Sequence, residues 1–128
     1  MNIWYFFKIF ECGHFCINYM LKKDKIKNTL DYNKQFMSLG LVCRVLKEYY
    51  NEVNCYHVDN VFKLMNKKRF ITLITINKHA YHYVVVENIE NNKIYYYDPA
   101  FLFIRKVRIE KFVKRWSGYC CFVKKSNC

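Results

Sequence analysis

Apolar and polar positions along the chain change their period once, close to residue 70. Before that point the spacing is helical. Residues 13–23, "GHFCINYMLKK", put Phe15, Cys16, Ile17, Tyr19, Met20 and Leu21 on nearly every side of a helix. That pattern predicts a central, buried helix rather than a surface one. Lys22 and Lys23 suit its C-terminal end, where the backbone dipole is negative. "KIKNTLDYN" is polar and reads as a connection. "FMSLGLVCRVLKEYY" carries Leu41, Val42, Val45, Leu46 and Tyr49 on one face with charge behind, which predicts a second helix. Asp59 is placed to cap a short third one, "NVFKLMNKK".

After Arg69 the runs become β-branched and aromatic. "FITLITI", "YHYVVVENI" and "KIYYYDPA" predict strands, with "NKHA" and "ENNK" as turns between them. "IRKVRI" predicts a further strand, "EKFVKRW" a short helix and "YCCFV" a closing strand. In that last strand, Cys120 and Cys121 would point to opposite faces as core and surface filler. Residues 3–10 read as a short aromatic strand or extended lead-in. Helices followed by consecutive strands predict an α+β architecture, with N-terminal helices packed on an antiparallel β-sheet. At 128 residues the whole chain, 1–128, is expected to form one domain with a single core.

Composition narrows this further. Apolar residues make up 53% and aromatics 20%, with three Gly and one Pro, so neither disorder nor a long linker fits. The net charge of +12 raises the prospect of acidic partners such as nucleic acid, anionic lipid or acidic peptide. The lysines are scattered, however, and only "LKKDKIK" and "NKKRF" approach a run. The aromatic run Tyr95 to Tyr97 could stack bases, but it reads more simply as a strand, so nucleic acid is not expected as a partner. The apolar start "MNIWYFFKIF" lacks a basic opening and a small-residue cleavage site. It is also interrupted by Lys8 and too short to span a bilayer. Seven irregularly spaced cysteines in such a chain are expected to be reduced thiols, and the location cytoplasmic or on the cytoplasmic face of a membrane.

Three residues carry candidate chemistry. Cys12 stands directly before Gly13 at the start of the first helix, where the dipole and unpaired N–H groups favour a thiolate. His82 opens the strand "YHYVVV". Asp98 closes the next strand, with Pro99 ending the ladder behind it. With a turn near residues 90–92, a hairpin brings His82 and Asp98 side by side. A thiol nucleophile, an imidazole to carry its proton and an acid to fix the imidazole tautomer are the parts of nucleophilic acyl transfer. His79 is a competing base, placed in the loop. A zinc set from Cys12, His14 and Cys16 with Cys43, Cys55 and His57 lacks any C-x-x-C pair, and His14 faces away from its neighbours. Neither a metal nor another cofactor is expected.

The series "ECGHFC…HYVVV…YYYDPA…IEKFVKRWSG" resembles the C39 peptidases, the bacteriocin-processing cysteine peptidases. These typically form the N-terminal, cytoplasmic domain of peptide-exporting ABC transporters. Cys12, Gly13, Cys16, His82, Val84, Val85, Asp98, Pro99, Trp116 and Gly118 fall on the family pattern. The resemblance implies a papain-like fold and cleavage of a leader peptide after a Gly-Gly type site. It implies Cys12, His82 and Asp98 as catalytic residues, with the backbone N–H of Cys12 in the oxyanion hole. The implied partners are a peptide substrate with a leader sequence and a peptide-exporting ABC transporter, with the chain acting as a monomer.

Three positions depart from that pattern. Glu11 replaces an aspartate and Phe15 a small alanine. Phe6 stands where the family has a glutamine that helps form the oxyanion hole, and Lys8 is the candidate substitute donor. An alternative therefore stands beside the peptidase reading: a catalytically impaired C39-like domain that binds peptide or a transporter partner without cleavage. No transmembrane or nucleotide-binding segment follows before Cys128, so a stand-alone member or an excised piece is expected.

Overall fold

A computed structural model of the chain describes residues 12–28, 38–77, 80–101 and 103–124. Helix α1 (Cys12–Lys23) and helix α2 (Leu39–Leu46) come first, followed by strand β1 (Glu52–His57) and a 3₁₀ turn (Val61–Leu64). Then come β2 (Phe70–Asn77), β3 (Ala80–Glu90), β4 (Lys93–Asp98), β5 (Phe103–Arg108), helix α3 (Ile109–Val113) and β6 (Trp116–Lys124). The strands form one antiparallel sheet in the order β1-β6-β2-β3-β4-β5. Consecutive hairpins build the β2–β5 half, and the last strand returns to fill the gap between β1 and β2.

Helix α1 buries Cys16, Ile17, Met20 and Leu21 against Ile71, Tyr83 and Val85 of the sheet. Each such aliphatic side chain contributes about 1.5–3 kcal/mol. The expectation of burial on nearly every side is corrected, because Asn18, Lys22 and Lys23 form an exposed face. The helix ends in a Schellman turn. Ile26 N–H donates to Leu21 O and Lys25 N–H to Lys22 O, with Lys25 at φ 58°. Lysine occupies a place that usually takes glycine, and Ile26 packs into the core to hold the turn.

Helix α2 starts at Ser38, whose Oγ accepts from Leu41 N–H, and it buries Val42 and Leu46 in the same cluster. A second cluster covers the opposite face of the sheet, where Leu64, Ile109 and Phe112 meet Phe70, Ile74, Val84, Val86, Ile94 and Tyr96. The sheet is therefore covered on both faces.

That arrangement revises several expectations. Asp59 does not cap the short helix. The element is a 3₁₀ turn capped by Asn60, whose side chain accepts from Phe62 N–H, while Asp59 pairs with Lys63. Strand β1 is an element that periodicity did not predict. Cys120 and Cys121 do point to opposite faces, but both faces are core and neither residue is exposed. Cys55 and Cys121 are register partners on β1 and β6 with Cα atoms 4.1 Å apart, and a disulfide joins them. The expectation of reduced thiols is corrected at that pair. Cys43 and Cys120 are free thiols.

Candidate active site

The β3–β4 hairpin is set by its turn. Asn91 and Asn92 take φ values of 52° and 62°, the paired left-handed conformation of a two-residue type I′ connection. Asparagine adopts that region more readily than most residues with a side chain. The register then runs from Glu90↔Lys93 to Val85↔Tyr97, with a bulge between Val86 and Asn88. Continued by one residue, it sets Val84 opposite Asp98, so His82 lies diagonally across from Asp98 on the same face of the sheet.

His82 Nε2 stands 2.5 Å from Asp98 Oδ1, and the two residues are 1% and 3% exposed. A carboxylate so enclosed is tolerable only when paired and hydrogen-bonded. With Nε2–H donating to the carboxylate, the neutral imidazole carries its lone pair on Nδ1.

Asp98 is further anchored by its own turn. Phe101 N–H donates to Asp98 O at 3.0 Å, closing a turn with Pro99 at its second position. Ala100 N–H donates to Asp98 Oδ1 at 3.0 Å, so one oxygen accepts from both a backbone amide and the imidazole. On the other side, Arg105 Nη1 lies 3.9 Å from Asp98 Oδ2. Burial pushes the Tyr96 phenol up, opposed by Arg105, reinforced by Asp98 and opposed again by Arg115. Burial, then Cys16 and Asp98, push the Tyr97 phenol up.

Cys12 is the first residue of α1, so its backbone lies in the first turn, where N–H groups have no partner within the helix. Its side chain lies outside the described residues, as do Phe6, Lys8, Glu11 and His79. Two contacts tie this helix to the strands bearing His82 and Asp98. Tyr19 stacks on Tyr97, and its hydroxyl donates to Glu87 of β3. Arg69 bridges Glu87 (3.4 Å) and Asp24 at the end of α1 (3.0 Å), and Tyr50 O–H donates to Asp24 at 2.6 Å.

Trp116 and Gly118 owe their identities to packing. Trp116 Nε1–H donates to the buried Thr72 hydroxyl at 2.8 Å. Gly118 has φ 90°, and a Cβ there would stand 2.5 Å from His57 Nε2 and 2.9 Å from Val58 O. Any side chain would collide with β1's end. His14 is buried on α1. Among the described residues no group of three or more His, Cys, Asp or Glu side chains could hold a metal, and no helix is long and apolar enough to cross a membrane. A groove of about 580 Å³ between the 3₁₀ turn, α3 and β6 includes neither His82 nor Asp98.

The sequence places His82 beside Asp98, as the structure has them, but not Arg105 beside Asp98 or the contacts of Tyr19 with Tyr97 and Glu87. The signal for Arg105 is its position on β5: Phe103 is Asp98's register partner, and Arg105 lies two residues further on the same face.

No curated protein sequence matches the chain. Solved structures do. A double-glycine motif protease from an AMS/PCAT transporter, in complex with the leader peptide, superposes with a TM-score of 0.77 at 21% identity. That match covers 91% of this chain and 86% of the other. The peptidase domain of Streptococcus ComA, a bifunctional ABC transporter involved in quorum sensing, gives 0.71 at 20% identity, covering 91% and 93%. The Streptococcus mutans ComA peptidase domain in complex with a small-molecule inhibitor gives 0.66 at 22%, again covering 91% and 93%. At these identities the likeness establishes the fold, which is the α+β, papain-like arrangement of helices on an antiparallel sheet. The sequence itself matches the Peptidase C39 family over residues 8–128, nearly its full length. The chain belongs to the Peptidase C39 family.

Proposed function

We propose that the chain is a cysteine peptidase that removes a leader peptide at a Gly-Gly type site. The observation that carries this reading is the enclosed His82–Asp98 pair, joined at 2.5 Å, in a C39 chain whose first helix begins at Cys12. Cys12 Sγ, as a thiolate, attacks the scissile carbonyl carbon, and the carbonyl oxygen becomes an oxyanion received by the Cys12 backbone N–H. Collapse breaks the C–N bond. His82 gives its proton to the departing amine and leaves a thioester on Cys12. His82 then takes a proton from water, the hydroxide attacks the thioester, and the acid leaves as the thiol is restored. Asp98 fixes the imidazole tautomer throughout and stabilises its charged form.

Substrates of this reading are extended peptides bearing a leader. The partner it implies is a peptide-exporting ABC transporter, and the place of action is the cytoplasm or the cytoplasmic face of a membrane. The unit that acts is a monomeric domain spanning residues 1–128.

A second reading is favoured by one residue. Phe6 cannot donate the hydrogen bond that the family's glutamine supplies to the oxyanion. Loss of one such donor costs on the order of 10²–10³ in rate unless Lys8 replaces it. The chain would then bind its peptide or transporter without cutting. Incubation of the wild type and Cys12→Ala with a panel of precursor peptides carrying Gly-Gly leaders, followed by mass spectrometry, separates the two readings. Cleavage after the second glycine by the wild type alone supports the peptidase. Binding by both proteins with cleavage by neither supports the impaired domain.

A further inference from the structure

Asp98 is held from two sides at once, and only one of those sides belongs to the pair already described. His82 reaches it diagonally from β3. Arg105 reaches it diagonally from β5, because Asp98 is in register with Phe103, two residues before Arg105 on the same face. The three side chains form a line across three neighbouring strands, His82–Asp98–Arg105, with Oδ1 toward the imidazole and Oδ2 toward the guanidinium.

Arg105 is itself held in place. Its guanidinium carbon lies 5.0 Å from the centre of the Phe101 ring, within range of a cation–π contact. Phe101 closes the Asp98–Pro99 turn by donating its N–H to Asp98 O. The turn that orients the carboxylate therefore also supplies the platform for the arginine. Arg105 is one-third exposed, so solvent weakens its attraction to Asp98, but its planar group restricts rotation of the carboxylate about Cβ–Cγ.

We propose that Arg105 is a positioning residue that holds the Asp98 carboxylate for His82. The inference rests on the reading of His82 and Asp98 as the working pair. It has two consequences. Arg105 fixes Oδ1 toward Nε2, which keeps the imidazole in the tautomer that accepts a proton at Nδ1. Its positive charge also draws on the carboxylate, so the carboxylate stabilises protonated His82 less than it would alone. Among the described residues, other ionisable groups near the pair are Tyr96 and Tyr97 on β4, and Lys111 and Arg115 at α3. Lys111 and Arg115 share a cavity of about 50 Å³ with Arg105 and Tyr96. Among the described residues neither Lys111 nor Arg115 pairs with Asp98, so Arg105→Met removes the cation that is in contact.

The test is the His82 ring titration, followed by NMR in the full chain, for wild type, Arg105→Met, Arg105→Gln and Arg105→Lys. With the guanidinium removed, the midpoint is expected to move up by roughly half a unit, and lysine is expected to restore much of it. On a cleaved peptide, Arg105→Met is expected to lower kcat about threefold to tenfold with KM little changed. A merely structural role would lower stability without moving the ring titration. Two neutral variants are used so that a folding failure in one leaves the other to decide. If both titrate as the wild type does, Arg105 does not act on the pair. Because the ring titration requires neither a reactive thiol nor a substrate, failure of the peptidase reading and failure of this inference are separable.

Discussion

The ring of Tyr19 lies flat on that of Tyr97, with centroids 4.0 Å apart and planes 6° from parallel. Tyr19 stands two helical turns after Cys12, and Tyr97 directly precedes Asp98. The stack therefore fastens the helix that carries the proposed nucleophile to the strand that carries the proposed acid. The Tyr19 hydroxyl adds a second strand by donating to Glu87 of β3. Tyr19→Leu is expected to destabilise the protein by about 1–2 kcal/mol through loss of the stack and the hydrogen bond. Tyr19→Phe keeps the stack and is expected to cost less. Urea unfolding of both variants checks this, and equal losses would mean that the stack adds nothing beyond the hydroxyl.

Cys55 and Cys121 close a span of 66 residues between the edge strand and its neighbour. A cross-link of that length restricts the unfolded chain, and its removal is expected to cost roughly 2–4 kcal/mol. Non-reducing peptide mapping should recover the Cys55–Cys121 peptide. Dithiothreitol should lower the urea midpoint of the wild type and leave that of a Cys55→Ala/Cys121→Ala variant unchanged. An equal response in both proteins would show that the bond does not stabilise the fold.

Alkaline pH is expected to weaken the fold through Cys120. Burial pushes this thiol up to about 11, with hydrogen bonds from Thr72 and Trp116 opposing the shift. In the unfolded chain a thiol ionises near 8.5. Between those values the unfolded chain releases a proton that the folded chain keeps. The stability is thus fully present below about pH 8.5 and declines toward pH 11, by about 2–3 kcal/mol from this group. Burial, and hydrogen bonds to Glu87 and Asp24, also push the Tyr19 and Tyr50 phenols up, which extends the decline in the same direction. Urea melts from pH 8 to 10.5 should show the fall, with a shallower slope for Cys120→Val. An unchanged slope in that variant would remove Cys120 as the cause.

Much of the candidate site is legible in the chain because it is local. "YHYVVVENI" and "KIYYYD" are β-branched and aromatic, and two asparagines between them suit a two-residue turn. His82 and Asp98 then meet with little freedom of register. Strand β1 is not legible for the opposite reason. "EVNCYH" is polar, exposed along much of its length and paired with a strand more than sixty residues away, so no local period marks it. The same distance hides the Cys55–Cys121 bond, whose geometry exists only once β6 has inserted beside β1. Arg105 is obscured by its neighbours: in "FIRKVR" three cations share an exposed strand, and only the register singles out the one beside Asp98. Asn60 outcompeted Asp59 as the cap because a single residue of offset determines which side chain reaches the first free N–H.

Cys12 and His82 are proposed to work as a pair, and selective alkylation reads that coupling without a substrate. A brief, limiting exposure to iodoacetamide at about pH 5.5 would be followed by peptide mapping of every cysteine, with His82→Ala in parallel. An ordinary thiol is only about 0.1% thiolate at that pH and barely reacts. Cys12 is expected to label first and far ahead of the half-buried Cys43, and this advantage is expected to collapse in His82→Ala. Labelling of Cys12 no faster than Cys43 in the folded wild type would contradict that pairing.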